Sequence, residues 1–291
     1  MSSGLRYQYA RLSIAEKLIA INVVAFLVFR LVGFLLKLPA PGLERWFELP
    51  KDFFEFLTRP WTLVTYAFLH GGLWHLFFNM LMLYYVGRIF LNYFGSRRFI
   101  NVYFLGLMLG GLFFLTAYNI FPAFYQSQSP LVGASAGVMA VLIFICTYLP
   151  AQEVRVFFFT LKLWYVGAFF VILDLVLIPL NDNPGGRIAH LGGALLGYLY
   201  ARRAAQGGDL GAGFSKLLDT LGGFFEKRPR KAPMKTVYRK EARKASQAVD
   251  YDKQTRQRKI DGILDKISKS GYESLTQAEK DFLFKAGKED T

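Results

Sequence analysis

Six stretches of the chain stay apolar for long enough to cross a bilayer, which takes roughly 20 helical residues. They lie at about 17–36, 72–94, 98–118, 131–149, 156–180 and 186–203. Before the first, Ser13-Ile14-Ala15-Glu16 reads as a capping box, with Ser13 capping the helix and Glu16 reaching back. The first run is too long for a cleavable signal peptide, and no small-residue cleavage site follows it. Between runs one and two, residues 37–71 interleave Trp46, Phe47, Phe53, Phe54, Phe56 and Trp61 with Glu44, Arg45, Glu48, Lys51, Asp52 and Glu55. That mixture suits a segment lying in the headgroup layer rather than crossing it. The pattern divides the chain into an N-terminal segment 1–16, a six-helix membrane domain 17–204, a Gly-rich and basic linker 205–259, and a small helical module 260–291. In that module Ile260, Ile263, Leu264 and Ile267 form a helical stripe, Gly271 ends it, and Thr276–Glu279 is a second capping box before Phe282-Leu283.

Composition sharpens this into an all-α polytopic membrane protein. Hydrophobic residues make up 53% and charged residues 19%, against about 25% charged for a soluble domain. Disorder, a collagen-like repeat and an ordinary cytosolic enzyme are excluded. The single cysteine, Cys146, leaves no internal disulfide framework. A net charge of +14 could suggest nucleic acid, but in the core the surplus sits between apolar runs, so no nucleic acid is expected. Arg6, Arg11 and Lys17 precede run one, Arg88, Arg97 and Arg98 sit between runs two and three, and Arg155 and Lys162 between runs four and five. Arg202 and Arg203 end run six. By the positive-inside rule both termini are cytoplasmic, and the chain is an integral multi-pass protein of a cell (inner) membrane. Arg30, in the outer half of run one, is expected to snorkel to the interface. The stretch Lys227-Arg228-Pro229-Arg230-Lys231 reads equally as a lipid-attracted patch or a solvated linker.

This topology gathers polar residues at one depth. His70 precedes run two, and His75 and Asn79 lie four residues apart on one face of it. Ser135 starts run four inside Gly133-Ala134-Ser135-Ala136-Gly137, and His190 lies just inside run six. Gly133-x-x-x-Gly137 and Gly193-x-x-x-Gly197 are patterns that let membrane helices approach closely. If runs four and six pack through them, Ser135 and His190 become neighbours, a serine beside an imidazole base. His75 and Asn79 could then donate to an oxyanion. A serine alone more often bonds its own helix; the signal is the conjunction. Asp174, near the outer end of run five, has two readings: a third member orienting His190, or an acid kept protonated or facing water. The second is preferred, so Asp174→Asn is expected to leave most activity intact.

His70-x4-His75-x3-Asn79, Gly133-Ala134-Ser135 and Ala189-His190-x2-Gly193-x3-Gly197 resemble the rhomboid family of intramembrane serine proteases, over about residues 14–204. The resemblance implies a rhomboid-like bundle of six transmembrane helices with a small helical cytosolic tail. It implies a Ser135–His190 dyad, an oxyanion site from His75, Asn79 and the Ser135 backbone N–H, and a structural His70. It also implies single-pass membrane proteins as substrates, cleaved near the outer surface, with no metal and no cofactor. Four positions depart from the pattern: Ala136 where a glycine often follows the serine, Met139 where an aromatic residue often stacks on the histidine, Trp61-Thr62 for the usual Trp-Arg, and Leu91 for an acidic residue. A non-catalytic relative would typically lack the serine or histidine, and a transporter would show repeats that are not visible here. The tail's partner is not legible.

Overall fold

The computed structural model describes residues 2–37, 42–125, 129–156, 158–180, 183–225 and 240–289. Two compact units are present, residues 1–227 and 228–291. The basic stretch at 227–231 lies outside the described residues.

In the first unit a short helix α1 (Ser2–Arg11) precedes α2 (Ile14–Leu35). Both halves of the expected capping box form: the Ser13 N–H donates to Glu16 at 2.7 Å, and the Glu16 N–H donates to the Ser13 hydroxyl at 3.3 Å. Two short helices, α3 (Phe53–Thr58) and α4 (Thr62–Thr65), lie in the following loop. Then come α5 (Leu73–Tyr93), α6 (Ser96–Ile120), α7 (Ser135–Tyr148), α8 (Leu163–Leu177), α9 (Pro184–Ala205) and α10 (Ala212–Phe225). Among the described residues, α2 and α6 are the two helices long and apolar enough to cross a membrane by length and composition.

α7 is the hub. It is apolar all round, and Ala136 through Cys146 are buried without interruption. A helix with no polar face needs cover on every side, and α5, α6, α8 and α9 supply it. The closest approach is to α9. A Cβ on Gly193 would collide with the Ala136 carbonyl oxygen, and one on Gly197 with that of Ala140. The Gly193-x-x-x-Gly197 stripe therefore seats backbone against backbone, as its spacing predicts. The outer surface is apolar instead: Val24 and Leu31 on α2, Trp74 and Phe78 on α5, Phe169 and Ile172 on α8 and Leu199 on α9 are exposed. A soluble monomer rarely exposes so much.

Two boundaries differ from the hydrophobic pattern. Run four yields a helix only from Ser135, because residues 129–134 pair with the loop: Leu49 and Leu131 exchange backbone hydrogen bonds of 3.1 and 2.9 Å, and Gly133 N–H donates to the Tyr66 carbonyl at 2.9 Å. Run five begins as a hairpin, β1 (Glu153–Val156) antiparallel to β2 (Phe159–Lys162), before α8. Its aromatic and β-branched residues are strand formers, which apolarity alone does not separate from helix.

The loop before α5 is tied down at several points. Trp61 Nε1 donates to the Trp46 carbonyl and Thr65 Oγ1 to that of Phe47, both at 2.8 Å. Arg59 bonds the Arg45 carbonyl and Glu55. The guanidinium of Arg30 donates to the carbonyls of His70 (3.3 Å) and Gly71 (3.1 Å), fixing the entry to α5.

The second unit comprises α11 (Lys240–Ser270) and α12 (Gln277–Glu289). Gly271, at φ 76°, breaks between them, and among the described residues Ile263, Leu275 and Ala286 are buried apolar residues of this unit. The Glu279 carboxylate accepts from the Thr276 N–H at 2.8 Å and from Lys266 Nζ at 2.9 Å. The stretch 205–259, expected as linker, contains α10 and the first twenty residues of α11. Glycines at 211, 213, 222 and 223 masked α10, and a low apolar content masked the start of α11.

Candidate active site

α5, α7, α8 and α9 bring five polar side chains to one cavity of about 170 Å3: Asn79, Ser135, Asp174, Arg187 and His190. Ser135 is the first residue of α7. The first N–H groups of a helix have no partner within it, so the Ser135 N–H stands free of the helical ladder beside its own hydroxyl.

Gly133 explains how His75 reaches this point. At φ 119° its backbone favours glycine. A Cβ there would lie 2.8 Å from His75 Nε2 and 3.7 Å from Ser135 Oγ. The imidazole edge and the serine hydroxyl thus flank the same spot, and only glycine leaves it open. The Gly71 N–H donates to His75 Nδ1 at 3.3 Å, which puts the ring proton on Nε2, the nitrogen beside Gly133. His70 is buried and meets the His75 ring edge-on at 5.2 Å. Asn79 gives one amide N–H to the His75 carbonyl at 2.9 Å.

His190 stands one turn and a half into α9, behind an Asn183 cap that accepts from the Gly186 N–H at 3.0 Å. Its Nδ1 lies 3.0 and 3.2 Å from the two oxygens of Asp174. Asp174 is 2% exposed and also accepts from Arg187 Nη1 at 2.8 Å. The carboxylate faces His190 Nδ1, so a proton carried there is donated to Asp174 and the Nε2 lone pair is left free. Asp174, expected as a protonated or water-facing acid, here contacts both His190 and Arg187. Arg187 was missed from the sequence. Its signal was the i,i+3 spacing to His190, which puts both side chains over one face of α9, but its partner lies on another helix.

Two departures acquire a structural account. The methyl of Ala136 is accommodated because α6 opposes it with Gly110, where an added Cβ would come within 2.7 Å. Met139 lines the cavity and fills apolar space, while the polar contact to His190 comes from Asp174.

A family model described as the Rhomboid domain matches residues 57–206, and one for a family of unknown function, DUF6576, matches residues 246–286. The chain is 27% identical over 157 residues to RHOMBOID-like protein 12, mitochondrial, of Arabidopsis thaliana, covering 50% of this chain and 47% of that protein. It is 28% identical over 160 residues to Rhomboid protein 1, mitochondrial, of Saccharomyces cerevisiae, covering 54% and 45%. It is 26% identical over 189 residues to the human Presenilin-associated rhomboid-like protein, mitochondrial, covering 63% and 46%. The matched region spans less than half the length of each of these relatives.

Proposed function

This chain belongs to the rhomboid family, and we propose that it is an intramembrane serine endopeptidase that cuts single-pass membrane proteins near the outer surface. The observation that carries the reading is the meeting of Ser135, His190 and Asp174 at one cavity, with His75 Nε2 beside the serine across Gly133.

The proposed chemistry uses these groups as follows. His190, its Nδ1–H held by Asp174, takes the Ser135 proton on Nε2 as the hydroxyl oxygen attacks the scissile carbonyl. The developing oxyanion is met by the Ser135 N–H, the Nε2–H of His75 and the second amide hydrogen of Asn79, with the positive end of the α7 dipole behind them. His190 then passes the proton to the leaving amine. The acyl-enzyme is hydrolysed by a water activated through the same imidazole. Asp174 keeps the imidazole in the required tautomer, and Arg187 holds Asp174 in position. A substrate helix must unwind for its carbonyl to reach Ser135, so helix-weak residues near the cut assist.

In this reading α2, α5, α6, α7, α8 and α9 are six membrane crossings, and both termini are cytoplasmic in a cell (inner) membrane. The exposed apolar residues around the bundle and the basic residues at the ends of α5, α6 and α9 support it. The loop before α5, with exposed Trp46, Phe54 and Trp61, rests in the headgroup layer.

The test is cleavage of a generic single-pass substrate in liposomes by wild type, Ser135→Ala and His190→Ala, with fluorophosphonate labelling of Ser135 alongside. Loss of cleavage in both variants, and of labelling in the first, supports the protease. A folded wild type that neither cleaves nor labels would favour a protein that binds membrane helices without cutting them.

A further inference from the structure

α10 presents its faces the wrong way round for a helix in water. It sits beside the first turns of α6 through polar groups. Asn101 Nδ2 donates to Ser215 Oγ at 2.8 Å and to the Gly211 carbonyl at 3.2 Å, and Arg97 pairs with Asp219. The Tyr200 hydroxyl of α9 closes the latch, accepting from the Gly211 N–H at 3.1 Å and bonding Asp209. Ser215 and Asp219 form one stripe, four residues apart. At 3.6 residues per turn, Leu217 and Leu221 fall on the opposite side, with Phe214 and Leu218 beside them. Leu217 is 53% exposed, Leu221 48% and Leu218 38%. Ser215 is buried against Asn101, Asp219 stays exposed in its pair with Arg97, and the leucine face is turned outward.

We propose that α10 is an interfacial anchor whose Leu217, Leu218 and Leu221 face lies in the lipid of the leaflet at the C-terminal end of α9. Three observations select lipid as the occupant. Arg97 is in the first turn of α6, one of the two helices among the described residues long and apolar enough to cross a membrane, so its partner Asp219 lies at the end of that helix. The exposed cations Arg97, Arg202, Arg203 and Lys216 gather at this end, which complements anionic headgroups. An apolar arc beside a charged one, at that level, is the pattern of a helix lying at the headgroup–acyl boundary. The anchor does not depend on the protease reading: it requires only that the bundle is in a membrane.

The full chain, in a Cys146→Ala background, is given single cysteines at Leu217, Leu221, Lys216 or Thr220 and labelled with bimane. It is reconstituted in phosphatidylcholine–phosphatidylglycerol vesicles containing lipid nitroxide-labelled near the top of the acyl chain. All four positions are exposed, so the labels leave the packed core alone. The nitroxide should quench positions 217 and 221 at least threefold more than 216 and 220, with aqueous iodide giving the reverse order. Equal access of iodide to all four overturns the proposal. So does shielding of 217 and 221 from iodide without nitroxide quenching, which would mean that protein, a second copy included, covers the face.

Discussion

Replacing Asp174 by Asn tests the geometry around His190 most directly. The carboxylate holds Arg187 Nη1 at 2.8 Å and His190 Nδ1 at 3.0 Å while 2% exposed. An Asn that keeps its carbonyl on Arg187 turns its NH2 toward His190 Nδ1, so two donors face each other. The clash is relieved by moving the ring proton to Nε2, where it blocks acceptance of the serine proton. The loss is that of a hydrogen bond to a charged group, about 1.5–3 kcal/mol, or roughly 10–150-fold in kcat at about 1.4 kcal/mol per factor of ten. Arg187 already balances part of the charge, so the loss stays below the ~10⁴-fold seen when Asn replaces Asp in a soluble serine protease triad. Initial cleavage rates in liposomes give kcat and KM, and thermal melting checks that the variant is folded. A folded Asp174→Asn enzyme with kcat within about twofold of wild type would refute the reasoning and leave Ser135 and His190 as a self-sufficient pair.

Gly133→Ala should cut cleavage at least tenfold with the bundle still folded, because a Cβ lands on the His75 ring and a non-glycine residue in such a backbone region costs roughly 1–3 kcal/mol; an unchanged rate would count against the placement of His75. Gly193→Ala drives a methyl into the Ala136 carbonyl, an overpacking cost of roughly 1–3 kcal/mol, and should lower Tm in detergent; a steady Tm would show that α7 and α9 can part cheaply. In the second unit, bonds from Lys266 and Thr276 pull the Glu279 carboxyl down to about 2. Its contribution is therefore fully present above its ordinary 4.5 and is lost as the pH falls from there toward 2. Hydrogen exchange across residues 272–286, corrected for intrinsic rates, should show protection declining over that window, and Glu279→Gln should remove the dependence.

What the sequence by itself determined rests on signals that are local or periodic. The Ser13–Glu16 capping box, the apolar runs, the break at Gly271 and the small-residue spacing of Gly193 and Gly197 each depend on residues a few positions apart, so they survive being read along a line. The motif residues were legible for the same reason, as His75 and Asn79 share a helical face and Gly133 and Ser135 are neighbours in the chain. Only the tertiary structure showed the partners of Asp174, because His190 and Arg187 lie sixteen and thirteen residues away on another helix. Apolar content likewise left the hairpin before α8 ambiguous, since strand pairing and helix bury the same residues. The outward leucine face of α10 was hidden by glycines that read as breaks, and became visible once Asn101 and Arg97 had claimed its polar side. Hydrophobicity sets how much surface must leave water; which groups then meet is set by the packing of backbones, and that is a property of the folded chain.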